Sequence, residues 1–315
     1  MTKRHLNQDS MKSSGGPLSV EKYVVITPAR DEGEYLGRMI NSMIGQTVRP
    51  AQWIIVDDGS ADNTLELARV AAARHDWIRV VSLTDRGFRQ VGAGAVQAFN
   101  AGLNALSIND YQFICCVDAD IVLQPRYFEL LLQKFSANPR LGNACGQIYE
   151  DHGGRLVKLR ANPELTYGAI KCWRRECFTD IGGLVNHSSW DGIDCYQSMN
   201  RGWQTGKFED RELQVLHLRA VGSSDRHVYK GWFRRGHSLY FLRAHPLWTL
   251  ASLAFHVFDR PLAVGALCMA AGYTEAWLKR RPRYDQTDFV QFLQGWQMRK
   301  LKSLIRLKSP GPSDS

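Results

Sequence analysis

Apolar runs that favour β-strands alternate with helical segments through the first 120 residues, and this alternation limits the possible folds more than any other feature. The runs lie at residues 23–27, 53–56, 78–81 and 112–117, and apolar residues recur at helical spacing between them. Such alternation is typical of βαβ units. It therefore predicts an α/β fold with a mostly parallel sheet flanked by helices, in which ligands bind at the carboxyl ends of the strands.

Three polar clusters directly follow predicted strands. They are Pro28 to Glu32, Asp57 to Ser60, and Asp118 to Asp120. Since parallel strands end at the same edge of a sheet, we expect the clusters to meet in one crevice. Two carboxylates after a buried strand suit a hard divalent cation, which in turn can hold a diphosphate. Each cluster alone is equally typical of a turn or a helix cap, so the prediction depends on their occurring together.

The net charge of +9 is concentrated in the C-terminal third of the chain. Residues 226–315 contain 15 Lys and Arg against 5 Asp and Glu, whereas residues 1–225 contain 25 against 26. A basic segment can face nucleic acid or an anionic membrane. No zinc-finger, RNA-recognition or helix-turn-helix pattern is present, so nucleic acid is not expected as a partner. The chain has seven cysteines, an odd number, and none of them has the paired CxxC spacing of a zinc site. This usage is typical of a protein in a reducing compartment.

Residues 23 to about 220 resemble the family 2 glycosyltransferases, which have the GT-A nucleotide-sugar fold with a Rossmann-like sheet. Five segments carry the resemblance: Val25 to Glu32, Val56 to Ser60, Val117 to Asp120, Ile181 to Leu184, and Trp190-Asp191 followed by Gly202-Trp203. The resemblance implies an inverting, metal-dependent enzyme that moves a sugar from a nucleotide donor to a hydroxyl of a glycan, as in bacterial surface-polysaccharide synthesis. The acceptor is expected to be a saccharide or a lipid-linked saccharide.

The resemblance also implies roles for individual residues. The nucleotide-sugar would contact Pro28, Arg30, Glu32, Asp57, Asp58, Arg86 and Asp118. Mg²⁺ or Mn²⁺ would be held by Asp118, Asp120 and His217. Asp120 is expected to bind the metal directly, and Asp118 to hold the ribose or to reach the metal through water.

Asp191 matches the catalytic base of the family, although its surroundings depart from the usual pattern. Trp190 replaces the usual Glu, and Ile193 stands where a second acidic residue is usual. Asp194 is therefore an alternative base, but the spacing to Gly202 favours Asp191. Two other functions stay open, namely a polyisoprenyl-phosphate sugar synthase and an inactive nucleotide-sugar-binding protein.

The chain is expected to comprise a disordered tail (1–21), a GT-A domain (22–224) and a basic, apolar helical extension (225–315). Residues 168–180 are predicted to be helical. Residues Arg234, Arg235 and His237 are predicted to form a mobile basic loop over the diphosphate. Residues 244–258 and 262–274 are uncharged but too short to span a membrane. Flanking Lys, Arg and aromatic residues predict docking on an anionic leaflet, at the cytoplasmic side of the cell membrane, peripherally or shallowly embedded. The alternative is two buried helices that complete the core.

Overall fold

The computed structural model describes residues 21–88, 90, 92–152, 154–219, 228–259 and 262–307. The predicted tail, except Glu21, and the predicted boundary between residues 224 and 225 lie outside the described residues. Strands are β1 (Tyr23–Ala29), β2 (Gln52–Asp57), β3 (Ile78–Ser82), β4 (Phe113–Val117), β5 (Ile121–Leu123), β6 (Leu141–Asp151), β7 (Leu156–Lys158), β8 (Ile170–Arg174), β9 (Gln204–Phe208) and β10 (Gln214–His217). Helices are α1 (Leu36–Ile44), α2 (Thr64–Arg74), α3 (Ala93–Asn104), α4 (Tyr127–Ala137), α5 (Arg175–Asp180), α6 (Trp190–Asn200), α7 (Val228–Phe241), α8 (Pro246–His256), α9 (Val264–Leu278) and α10 (Thr287–Leu307).

The described strands form one mixed sheet in the order β3-β2-β1-β4-β8-β6-β10-β5, with β7 and β9 also paired to β6. The first four strands along this order are parallel, as the alternation predicts. Their register is nearly level, because Ala29 of β1 lies opposite Asp57 of β2, which lies opposite Ser82 of β3. The polar residues that follow these strands therefore start at one edge of the sheet.

Both faces of the parallel strands are buried under helices. Alternate residues of each strand belong to two separate apolar clusters, so that Val25 packs on one face and Ile26 on the other. Helix α3 covers the second face closely because Gly102 has no side chain. A Cβ atom there would lie 2.6 Å from Ile26 Cγ2 and 2.9 Å from Val56 Cγ2. The glycine thus permits the helix to lie directly on β1 and β2.

The prediction of one helix over residues 168–180 is wrong. Residues Ile170–Arg174 form β8, which is antiparallel to both β4 and β6, and only Arg175–Asp180 are helical. The local apolar pattern suits either element, and pairing between two buried strands decides the outcome.

The prediction of a mobile basic loop at Arg234, Arg235 and His237 is also wrong, because all three lie within helix α7. His237 Nε2 lies 2.8 Å from Glu275 Oε2 of α9. The two helices approach so closely that a side chain at Gly236 or Gly272 would overlap the backbone of the other helix. Helix α7 is therefore held against α9 along its length.

The C-terminal helices also pack against the sheet domain. Apolar residues of α10, including Leu293 and Trp296, are buried against Ile193 and Tyr196 of α6. Trp296 Nε1 donates to Glu164 Oε2 at 2.8 Å. The apolar side of α10 is therefore covered by α6. Over the described part of the chain, no helix combines the length and the apolar character needed to cross a bilayer.

Candidate active site

A cavity of about 650 Å³ opens at the carboxyl edge of the parallel strands. Residues from all three predicted polar clusters line it, together with residues of α6, β10 and α7. The lining residues that matter for the site are Pro28, Arg30, Glu32, Asp58, Asp118, Asp120, Asp191, His217, Arg219 and Arg234. Three predicted site residues, Asp57, Arg86 and Asp194, do not line the cavity.

Arg219 joins the acidic residues on one wall of this cavity. Its Nη2 donates to Asp120 Oδ2 at 2.6 Å and to Glu32 Oε1 at 2.9 Å, while its Nε donates to Asp120 Oδ2 at 2.9 Å. His217 Nε2 lies 3.2 Å from the same Asp120 oxygen. We refer to Glu32, Asp118 and Asp120 as the carboxylate cluster. Arg219 supplies positive charge to this cluster through its contacts with Glu32 and Asp120.

The structure shows how the chain places these carboxylates. Strand β4 ends at Val117, and residues 118–120 turn so that the Ile121 N–H donates to the Asp118 carbonyl at 3.3 Å before β5 begins. The two carboxylates therefore belong to a turn and not to a continued strand. Strand β5 is antiparallel to β10, and His217 lies opposite Ile121, which brings the end of β10 beside the turn.

The two carboxylates after β4 titrate differently. Burial and the adjacent Asp120 charge raise the pKa of Asp118 to about 7. Burial also opposes ionisation of Asp120, but hydrogen bonds and charge from His217 and Arg219 outweigh it and lower that pKa below its usual value. Burial disfavours the charged form of His217, yet the Asp120 carboxylate raises the pKa of this imidazole above normal. Nearby positive charge therefore stabilises the ionised carboxylates of this cluster.

The donor set suits a divalent cation, although the side chains are not arranged around one. Carboxylate and imidazole groups are ligands that Mg²⁺ and Mn²⁺ accept. The Nδ1 atom of His217 is buried without a hydrogen-bond partner in the described part of the protein. Among the described residues, however, no group of three or more Asp, Glu, His or Cys side chains encloses a metal position. A cation bound at Asp120 Oδ2 would compete with the guanidinium of Arg219 for that oxygen.

A second group of charges lies near the ends of β1 and β2. Arg30 donates to the Asp58 carbonyl and, at 2.6 Å, to Asp85 Oδ1. The hydrogen bond to Asp85 raises the pKa of the Arg30 guanidinium. Arg86 forms a hydrogen-bonded ion pair with Asp58. Asp57 is buried behind the cavity, where its Oδ1 accepts from the Ser60 N–H at 3.3 Å. Contact of Asp57 or Arg86 with a nucleotide stays a prediction.

The two candidate bases lie in different surroundings. Asp191, in the first turn of α6, lines the cavity with an exposed side chain. The protein atoms around it still reduce solvation of the carboxylate and so raise its pKa. Asp194, one turn later, is buried and accepts from Lys171 Nζ at 2.5 Å, Trp173 Nε1 at 2.9 Å and Asn143 Nδ2 at 3.0 Å. Asp191 alone is accessible to a substrate.

Lys171 connects the candidate base to the centre of the sheet. This fully buried residue of β8 donates from Nζ to the Asp191 carbonyl at 2.5 Å as well as to Asp194. Burial opposes its charge, but the Asp194 carboxylate outweighs that effect and raises its pKa. The Lys171 ammonium also lies 5.2 Å from the centre of the Trp190 ring. The first turn of α6 is thus fixed by a buried ion pair and an aromatic contact.

Trp190, which stands where the family resemblance implies Glu, is part of the apolar core. It is buried beside Trp173, with 6.5 Å between ring centres. Trp190 is therefore a packing residue, and the adjacent Asp191 lines the cavity. Sequence reasoning missed Arg219 and Lys171. Arg219 could have been noticed as a basic residue two positions after His217, whereas nothing near Lys171 in the sequence marks it.

A protein-family model described as glycosyl transferase family 2 matches residues 24–203, more than half of the chain. The sequence is 28% identical over 127 residues to the poly-beta-1,6-N-acetyl-D-glucosamine synthase of Staphylococcus epidermidis, covering 40% of this chain and 28% of the synthase. It is 30% identical over 110 residues to glycosyltransferase GlyG of Streptococcus pneumoniae, covering 35% of this chain and 34% of GlyG. The similarity thus spans about a third or less of these relatives.

The fold is similar to that of the mannosyltransferase PcManGT from Pyrobaculum calidifontis, solved with GDP-Man and Mn²⁺. The TM-score is 0.54 at 16% identity, covering 91% of this chain and 88% of that enzyme. This likeness confirms the predicted GT-A fold with a helical C-terminal extension.

Proposed function

Because the chain belongs to glycosyl transferase family 2, we propose that it transfers a sugar from a nucleotide-sugar donor to a hydroxyl group of a glycan acceptor, with inversion at the anomeric carbon. The observation that carries the proposal is the composition of one cavity. Asp191, the only accessible candidate for the base, lines the same cavity as the carboxylate cluster and the guanidinium groups of Arg30, Arg219 and Arg234.

The basic side chains of the cavity are suited to the donor diphosphate. Arg30 and Arg219 each hold a carboxylate in the structure, at Asp85 and Asp120 respectively. A guanidinium that binds carboxylates can bind phosphate oxygens with the same planar fork. We propose that the donor diphosphate takes the place of these carboxylates as the partner of Arg30 and Arg219. Pro28 and Asp58, which line the same cavity, would then lie beside the nucleoside.

Asp191 would remove the proton from the acceptor hydroxyl. Reduced solvation raises the pKa of Asp191, which makes this carboxylate a stronger proton acceptor than an ordinary one. The acceptor oxygen then attacks the anomeric carbon as the bond from that carbon to the diphosphate oxygen breaks. One displacement inverts the configuration and needs no carboxylate nucleophile. Lys171 would keep the first turn of α6 in place during this step.

Asp118, Asp120 and His217 are the residues that would hold Mg²⁺ or Mn²⁺. When bound, such a cation neutralises negative charge on the departing nucleoside diphosphate. Arg219 would compete with such a cation for Asp120 Oδ2, and its guanidinium lines the cavity in which the diphosphate would bind.

For the acceptor we propose a saccharide or lipid-linked saccharide used in polysaccharide or cell-envelope glycan synthesis. The support is the partial match to the poly-beta-1,6-N-acetyl-D-glucosamine synthase, whose name denotes a polysaccharide product.

The proposal is tested by a thermal-shift screen of UDP-, GDP-, CDP- and dTDP-sugars with Mg²⁺ or Mn²⁺, followed by a transfer assay with the donor that binds. A donor present at a hundred times its Kd stabilises a folded protein by about 2.7 kcal/mol. Failure of every donor to raise the melting temperature would refute the proposal.

The variant Asp191→Asn tests the base. It should bind the donor as the wild type does but lower kcat by a factor of roughly 10²–10⁴. Asp76→Asn makes the same chemical change at an exposed position outside the cavity and should leave kcat unchanged. Normal turnover of Asp191→Asn would remove this residue from the mechanism.

A further inference from the structure

Helices α8 and α9 each carry an exposed stripe without any charged side chain. On α8 and its C-terminal continuation the stripe comprises Leu247, Leu250, Ala254 and Phe258, spaced by three or four residues. On α9 it comprises Leu267, Ala271, Thr274 and Leu278, again at helical spacing. We refer to these eight residues as the docking face. A regular apolar stripe on a helix normally faces another apolar surface.

The large apolar side chains of the docking face are highly exposed and lie together, unlike apolar residues scattered singly over a surface. Phe258 is 79% exposed, Leu267 67% and Leu250 62%. Phe255 and Leu262, near the junction of the two helices, are also exposed. The Ala263 N–H donates to the Val257 carbonyl at 2.8 Å, which brings the end of α8 to the start of α9. Exposed apolar residues grouped in this way mark an interaction surface.

Basic residues stand at the outer ends of the two helices. Arg243 precedes α8, and Lys279, Arg280 and Arg281 follow α9, all of them exposed. Within α8 and α9 the only carboxylate is Glu275. His237, Lys279 and Arg281 all lie within 2.8 Å of it, so its negative charge is compensated. Asp259, next to Phe258, has a side chain that is 42% exposed and lies 2.6 Å from His256 Nδ1. The surface around the docking face is therefore apolar at the stripes and cationic at the outer ends of the two helices.

We propose that the docking face binds the surface of an anionic lipid bilayer. The apolar stripes would enter the boundary between head groups and acyl chains, and the marginal Lys and Arg side chains would contact lipid phosphates. The charge distribution favours lipid over a second copy of the chain, because two such faces would bring their cationic margins together. The inference goes beyond glycosyl transfer and does not depend on it, since it rests on the C-terminal helices alone.

The test is co-sedimentation of the full chain with vesicles of phosphatidylcholine alone or with about one third phosphatidylglycerol, without donor or acceptor. The variant Leu250→Asp/Phe258→Asp/Leu267→Asp removes apolar contact and adds three negative charges at exposed positions. Each lost apolar contact should lower the partition coefficient on the order of tenfold. The variant Arg243→Asn/Arg280→Asn should lower binding to anionic vesicles by about fivefold for each charge. Asn is chosen because both arginines have positive φ angles, which Asn tolerates.

A matched control is Val70→Asp/Leu156→Asp/Leu304→Asp, which makes the same change at exposed apolar positions outside the docking face. It should bind anionic vesicles nearly as the wild type does. Equal loss of binding in the control and the docking-face variant would overturn the proposal, because charge alone would then explain it. Absence of vesicle binding by the wild type would overturn it too, as would a wild-type oligomer that the docking-face variant converts to monomer while vesicles are not bound.

Discussion

The substitution Lys171→Met tests the buried ion pair that holds the candidate base. Lys171 and Asp194 have side chains that are 0% and 1% exposed, and 2.5 Å separates Nζ from Oδ1. Removing one partner of such a pair costs about 3–5 kcal/mol, because the other charge stays buried. Asn143 and Trp173 would still donate to Asp194, which places the expected loss near the lower limit, at about 3 kcal/mol.

The loss is measured by urea unfolding. With a slope of about 3 kcal/mol per molar urea, the midpoint should fall by about 1 M. The double variant Lys171→Met/Asp194→Asn removes both charges while Asn can still accept from Trp173. It should recover most of the stability, because no isolated charge is left in the interior.

The same variants separate positioning from folding. The Lys171 ammonium donates to the Asp191 carbonyl, so both variants should lower kcat while the Kd for donor stays near the wild-type value. A stability loss below about 1 kcal/mol in Lys171→Met, or a double variant no more stable than the single one, would contradict this view of the pair.

Three further predictions concern pH, the carboxylate cluster and the helix contact. Below the raised pKa of Asp191, kcat/KM should fall tenfold per pH unit because the base becomes protonated, and this limb should be missing from the residual activity of Asp191→Asn. Arg219→Ala should lower the free energy of unfolding by about 1–2 kcal/mol when no divalent cation is present. Because the variant uncovers Asp120, Mn²⁺ should raise its melting temperature more than that of the wild type. An unchanged response to Mn²⁺ would contradict this role of Arg219. Gly272→Ala should cost about 1–3 kcal/mol in thermal unfolding because the methyl group overlaps the backbone of α7, whereas Gly231→Ala, which faces open space, should be neutral or slightly stabilising; equal effects would show that the helix contact is not tight.

The parallel half of the sheet could be predicted because its signals are local. Each strand from β1 to β4 is a short apolar run, and each following helix has its own periodicity. The cavity could be anticipated for the same reason, since level parallel strands bring their following loops together.

What the sequence did not reveal depends on partners distant along the chain. Strand β8 is a strand because it lies between β4 and β6, and its local pattern also suits a helix. The basic residues of α7 suggested a loop over the diphosphate, whereas the segment is helical from Val228 to Phe241. The structure shows that Gly236 is required by the close approach of α9, not by a turn. Arg219 and Glu32 are separated by 187 positions, so no local motif could pair them.

The close contact between α7 and α9 has a consequence for the range of acceptors. Arg234 of α7 lines the cavity, while the opposite side of α9 belongs to the docking face. Since Gly236 and Gly272 bring the two helix backbones together, neither helix can slide along the other without separating from it. On a bilayer, the cavity would therefore stand at a fixed height above the lipid head groups. If the acceptor is a lipid-linked glycan, as proposed above, only glycans long enough for their end to reach that height would be extended.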